Sequence, residues 1–140
     1  MGCLFCDWIK NNKHVLYKTE KNVVLIPNIT WVKNCLLVCP IKHVESIYDL
    51  DEETYLEMYK IGRKLGQQLE KKDADATVYL LNNNHMQISH LPTHVAHLHL
   101  KIIPCYKKYT NTDSARMELS EEDIDKIKQD LLKLLGYQRM

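Results

Sequence analysis

Apolar and polar positions alternate most cleanly over residues 93–104, T-H-V-A-H-L-H-L-K-I-I-P. Successive side chains on a strand point to opposite faces. One face then carries Ala96, Leu98, Leu100 and Ile102, and the other Thr93, Val95, His97, His99 and Lys101. The first is a core face. The second sets two imidazoles and an ammonium in a row, with neighbours about 6–7 Å apart. Solvated strand faces ordinarily carry Thr, Lys, Glu and Ser. Imidazole is the side chain that titrates near neutral pH and ligates metals, so this strand is the candidate site.

Three shorter runs, at 14–19, 22–26 and 34–39, predict strands joined as an antiparallel meander, with 27–33 as a loop. A helix is expected over 49–72, capped by Asp49 with Glu52 completing a capping box. Tyr55, Met58, Ile61, Leu65 and Leu69 recur at helical spacing as its buried stripe. Gly62 and Gly66, four apart, either admit a close approach to the sheet or only weaken the helix. A fourth strand falls at 77–81 and a polar loop at 82–92. A second helix is expected over 120–135, capped by Ser120 with Asp123, with Ile124, Ile127, Leu131, Leu132 and Leu135 as its apolar face. Residues 5–10 read as an apolar turn or helix start, and 107–117 have turn composition. The order predicts an α+β domain: a five-stranded, mainly antiparallel sheet with two helices, one domain over 1–140.

Composition narrows the function classes. A chain of 140 residues, 45% apolar and 26% charged, is long enough to bury a core without staples. A net charge of +1 removes any whole-molecule argument for nucleic acid or a membrane surface, and no apolar run reaches the length of a membrane span. The opening M-G-C-L-F-C-D-W lacks the basic-then-apolar pattern of a secretory signal. Cys6 also stands where a myristoylation site carries Ser or Thr. Five cysteines, Cys3, Cys6, Cys35, Cys39 and Cys105, are an odd number. With no signal sequence they predict thiols in a reducing compartment, cytoplasmic or nuclear.

Cys3 and Cys6 form a C-x-x-C pair, and two thiolates at that spacing can bite one tetrahedral zinc. Redox use is the alternative, although that motif normally opens a helix after a strand. A zinc needs two further ligands, and His43 and one histidine of the 93–104 strand are the available imidazoles. Without metal, the pair would be two thiols packed under the sheet. Cys35, Cys39 and Cys105 read as small buried hydrophobes.

At these residues the chain resembles the histidine-triad (HIT) family. His97-Leu-His99-Leu-Lys101-Ile-Ile-Pro104 is similar to the motif H-x-H-x-H-x-x-P. Cys3-L-F-Cys6-D-W-I resembles the C-I-F-C-x-I-I opening of the zinc-bearing, bacterial-type branch. N-V-V-L-I from 22, L-L-V-C-P-I-K-H from 36 and L-L-N-N-N from 80 follow in the family's order, so the likeness covers about 3–106. The resemblance implies a HIT-like fold and a nucleotide hydrolase or transferase. His99 would be the nucleophile on the α-phosphorus of a nucleotide conjugate, forming a covalent nucleotidyl-histidine. The carbonyl of an adjacent strand would fix its tautomer. The resemblance further implies structural zinc on Cys3, Cys6, His43 and His97. It places an adenosine or guanosine base against Phe5, Trp8 and Leu25, residues that would otherwise be plain core. It also implies a twofold homodimer, formed through the 49–72 helix and the edge of the 93–104 strand.

The departures concern the phosphate and ribose contacts. Lys101 replaces the third motif histidine; an ammonium can hold a phosphate oxygen but cannot shuttle a proton as imidazole does near pH 7. Thr93 and His94 stand at the positions that approach the phosphate. Pro27 replaces the ribose-binding acid, with Asn28 beside it as substitute. Asn84 is the candidate loop asparagine, and His85, His90 and His94 are further imidazoles nearby. Three readings follow: an enzyme using His99 and Lys101 on nucleoside phosphoramidates or related conjugates; a nucleotide-binding protein with little or no turnover; or a zinc-stabilised interaction module. Neither a membrane nor a nucleic-acid partner is expected.

Overall fold

The turn at Thr19, Glu20 and Lys21 sets the direction of the sheet. The Thr19 hydroxyl accepts from the backbone N–H groups of Lys21 and Asn22 at 3.3 and 3.0 Å, a side-chain turn that reverses the chain. The computed structural model describes residues 3–30, 32–83, 95–107 and 117–135; the side chains of residues 29, 117, 118 and 135 lie outside the description. Within these, β1 (Val15–Lys18), β2 (Asn22–Leu25), β4 (Leu36–Pro40), β5 (Ala76–Leu81) and β6 (Leu100–Cys105) form one sheet in the order β1-β2-β4-β6-β5. Every pairing is antiparallel. The expected 27–33 loop contains a two-residue strand, β3 (Ile29–Thr30), which pairs with β7 (Met117–Glu118). Three helices complete the domain: α1 (Leu4–Lys10), α2 (Glu52–Lys72) and α3 (Glu121–Leu135). The described residues thus form the expected α+β architecture with a five-stranded sheet, the 5–10 segment resolving as a short third helix.

Both faces of the sheet are covered, which is why β2 and β4 are buried at every position and show no polar alternation. On one face Val24, Ile26, Leu36, Val38, Leu100 and Ile102 pack against Met58, Leu65 and Leu69 of α2 and Ile124, Leu131 and Leu132 of α3. On the other, Val23, Leu25, Leu37 and Cys39 pack against Phe5 and Trp8 of α1. The second layer is small, and the candidate chemistry sits in it.

Three expectations are corrected. The 93–104 strand begins only at Leu100. Its partner β4 ends at Pro40, which has no N–H to extend the ladder, and Leu98 instead donates to the Val44 carbonyl at 2.7 Å. The cap of α2 is Asp51, not Asp49: Ser46 caps a 3₁₀ turn over Ile47–Asp49, and Asp51 then accepts from the Thr54 N–H at 3.1 Å. The buried stripe of α2 is Thr54, Met58, Gly62, Leu65, Gly66 and Leu69, while Tyr55 is exposed and Ile61 only half-buried. Glycines form the contact because the sheet lies so close. A Cβ on Gly62 would stand 2.8 Å from Leu100 Cδ2, and one on Gly66 would meet the Tyr79 hydroxyl. The close-approach reading of these glycines holds. The second helix starts as expected, with Ser120 and Asp123 exchanging hydrogen bonds at 3.1 Å in both directions.

Candidate active site

The start of α1 makes the first half of a metal cage. Cys3 is its N-cap, and its Sγ accepts from the Cys6 N–H at 3.4 Å, so one helical turn brings both thiols to the same side. His43, just beyond β4, and His97, just ahead of β6, supply the other half. Cys3 Sγ lies 3.4 Å from His97 Nδ1, and Cys6 Sγ lies 3.4 Å from His43 Nδ1 and 3.5 Å from His97 Nδ1. A tetrahedral zinc with ordinary Zn–S and Zn–N bonds needs sulfur-to-nitrogen edges of about 3.5 Å. All four ligand atoms lie within 4.8 Å of one another, the one such cluster among the described residues.

The second layer agrees with metal ligation. His97 is 2% exposed, and its Nε2–H donates to the Pro40 carbonyl at 2.7 Å, which leaves Nδ1 as the ligand nitrogen. Burial, with His43 nearby, lowers the His97 pKa against the pull of the Pro40 carbonyl, and a neutral imidazole is the form a metal binds. Burial first, then the Cys3 thiol, pushes the Cys6 thiol up to about 11. Two thiols crowded in this way gain most when a cation draws both off as thiolates. Cys3, Cys6, His43 and His97 therefore fit a closed structural zinc site.

His99 stands two residues on and is half-buried. Its Nδ1–H donates to the carbonyl of His97 at 2.7 Å, so Nε2 carries the ring's lone pair. The tautomer is thus fixed by the backbone of a metal ligand, not by the adjacent strand expected from the resemblance. The edge of Phe5 meets the His99 ring at 5.1 Å and 84°. Lys101 follows on β6, half-buried and opposite Leu37 of β4 and Leu80 of β5.

The three residues expected to hold a base are closely packed: Phe5, Trp8 and Leu25 are 3%, 4% and 0% exposed. Asn28 is half-buried, and its carbonyl accepts from Leu119 N–H at 2.7 Å, which ties the segment expected to meet a ribose to the chain after β7. Asn84, Thr93, His85, His90 and His94 lie outside the described residues. Two features escaped the sequence reading. Asn83 Oδ1 accepts from Ile47 N–H at 2.6 Å and anchors the end of β5 to the approach to α2. The ring of His14 stacks on Trp8 at 3.8 Å and 6°. Asn83 lies within the L-L-N-N-N segment but was given no role there; the one signal for His14, which belongs to no motif, was an imidazole at the mouth of a strand.

Fold and site together define a small α+β domain in which a thiolate–imidazole cage braces one oriented histidine. The HIT domain family model matches residues 9–108, and the chain belongs to that family, whose members are nucleotide hydrolases and transferases. No curated protein sequence matches it significantly. Among solved structures it is similar to a zinc-bound histidine triad family protein from Mycobacterium smegmatis, with 20% identity, 99% of each chain covered and a TM-score of 0.74. It is also similar to a hypothetical histidine triad nucleotide-binding protein from Sulfolobus tokodaii, at 23% identity over 96% of this chain and 92% of that one, with a TM-score of 0.77. Plasmodium falciparum diadenosine triphosphate hydrolase shares the fold at 16% identity, covering 89% of this chain and 75% of its own, with a TM-score of 0.59.

Proposed function

We propose that this protein cleaves a nucleoside phosphoramidate or a related nucleotide conjugate through a covalent nucleotidyl-His99 intermediate. The observation that carries the reading is the hydrogen bond from His99 Nδ1 to the His97 carbonyl, which presents Nε2 as a neutral nucleophile needing no prior deprotonation. In the first step Nε2 forms a bond to the α-phosphorus, the bond from phosphorus to the leaving amine breaks, and the amine departs with a proton taken from water. In the second step water adds to the phosphorus, the P–N bond to His99 breaks, and the water's proton returns to solvent. Lys101, as an ammonium, holds a phosphate oxygen and offsets its charge. Cys3, Cys6, His43 and His97 would hold zinc with four protein ligands, so the metal would brace the chain beside His99 and supply no Lewis-acid chemistry to the substrate. On this reading Phe5, Trp8 and Leu25 form the apolar floor beneath the base and Asn28 meets the ribose, while the phosphate contacts are assigned to Asn84 and Thr93 from the resemblance alone.

Lys101 in the place of the third imidazole favours a second reading, a nucleotide-binding protein with slow turnover. Intact-protein mass spectrometry after mixing with adenosine 5′-phosphoramidate separates the two. A gain of one AMP that His99→Ala abolishes is the expected result. Tight nucleotide binding with no adduct and no consumed substrate would establish the binder instead.

A further inference from the structure

We propose that the imidazole of His14 stands in the stacking position of a nucleobase on Trp8, so that a base enters by displacing it and His14 sets how tightly bases are held. This rests on the nucleotide reading above, in which Trp8 lines the base cleft.

Four observations lead there. Trp8 is 4% exposed, so it offers no open face to a planar ligand. Phe5 meets it tilted, at 5.4 Å and 32°, whereas His14 covers it face to face at 3.8 Å and 6°. That approach is closer than the roughly 4.5–7 Å usual between aromatic rings in proteins. His14 is the removable partner of the pair: it is half-buried, on the chain between α1 and β1, and not on a packed helix face. Its backbone is held at φ 59°, with Asn12 at φ 54° just before it, a left-handed conformation that non-glycine residues adopt at a cost. Leaving the indole would break one side-chain hydrogen bond, from His14 Nδ1–H to the Ile26 carbonyl at 2.8 Å. That carbonyl adjoins Pro27 and Asn28, the ribose-side segment. Burial holds the His14 pKa below the ordinary histidine range, against the pull of the Ile26 carbonyl, so the ring is a neutral heteroaromatic plane like the base it replaces.

Calorimetric titration of the full chain with AMP tests this, comparing the native protein with His14→Gly and His14→Asn. Glycine relieves the positive φ, and asparagine tolerates it while keeping a donor for the Ile26 carbonyl. AMP binding is expected to tighten by about two- to tenfold in whichever variant folds, while ribose 5-phosphate, which has no base, binds all three proteins alike. AMP should also quench Trp8 emission more strongly in the variant, read in a Trp31→Phe background. Unchanged or weaker AMP binding in a folded variant overturns the inference and leaves the nucleotide reading standing. If AMP binds none of the three proteins, the nucleotide reading fails and this inference with it.

Discussion

On the proposed reading, Lys101 is the departure from the family's motif that bears most on the rate of turnover. A half-buried ammonium on β6, two positions from His99, can neutralise phosphate charge but does not exchange protons readily near pH 7. Proton transfer by a positioned imidazole typically contributes about 10²–10⁴-fold. Lys101→His is therefore expected to raise turnover of adenosine 5′-phosphoramidate at pH 7 by at least about tenfold, measured as released AMP. An unchanged rate would mean that proton delivery does not limit this enzyme. His97, His99 and Lys101 were legible in the sequence because their spacing of two survives whatever the backbone does. The tautomer of His99 was not. It depends on the chain lying outside the ladder before Leu100, where Pro40 of the neighbouring strand has no N–H to offer.

At the scale of elements, α2 meets the sheet through two glycines whose surroundings differ. A methyl on Gly62 would press on Leu100 and Ile102, both essentially inaccessible; one on Gly66 would press on Tyr79, which is 44% exposed and can swing away. Alanine favours the helix by about 1 kcal/mol over glycine, and overpacking a core costs about 1–3 kcal/mol. Gly66→Ala is thus expected to be neutral or stabilising, and Gly62→Ala less stable than it by about 1–2 kcal/mol, in urea unfolding. The cap of the same helix carries a pH signature. Hydrogen bonds from the Thr54 side chain and backbone, and then Lys21, lower the Asp51 pKa below its usual 3.8. A depressed carboxylate contributes stability that is present above the unfolded pKa and lost as pH falls through the folded one. The Tm difference between the native protein and Asp51→Ala should therefore be widest above about pH 4 and shrink below it. A gap that stays constant from pH 6 to pH 3 would show that the ionised cap contributes nothing.

Across the whole molecule, the zinc cage joins three distant parts of the chain, the start of α1, the exit of β4 and the entry of β6. Removing metal with a chelator is expected to lower the Tm by at least about 5 °C and to slow adduct formation on His99, because the His97 carbonyl that orients it loses its anchor. The other large-scale feature is an edge. The 93–104 strand was expected to pair two copies, but β6 lies between β4 and β5 and has no free edge; the outer strands among the described residues are β1 and β5, and β5 is the one beside β6. Val78, Tyr79 and Leu80 are 46%, 44% and 40% exposed there, an apolar run on a strand whose outer edge has no partner strand among the described residues, which a second copy would cover. We propose a twofold dimer through β5, and Leu80→Glu is expected to shift the mass seen in light scattering from two copies to one.

The sequence by itself determined the features that are carried by local spacing or by a single residue type. Those are the antiparallel meander, the two long helices, the C-x-x-C at one helical turn, and the H-x-H-x-K spacing of His97, His99 and Lys101, although only Lys101 lies on the strand expected to carry all three. Each depends on interactions within a few residues, and strand and helix periods translate them directly into faces. Tertiary structure alone decided which strand is the edge, that Asp51 and not Asp49 caps α2, that the His97 carbonyl orients His99, and that His14 lies on Trp8. These depend on where a ladder runs out of donors and on which remote surfaces meet at van der Waals distance. No periodicity encodes either, because both are set by the summed packing of segments far apart in the chain.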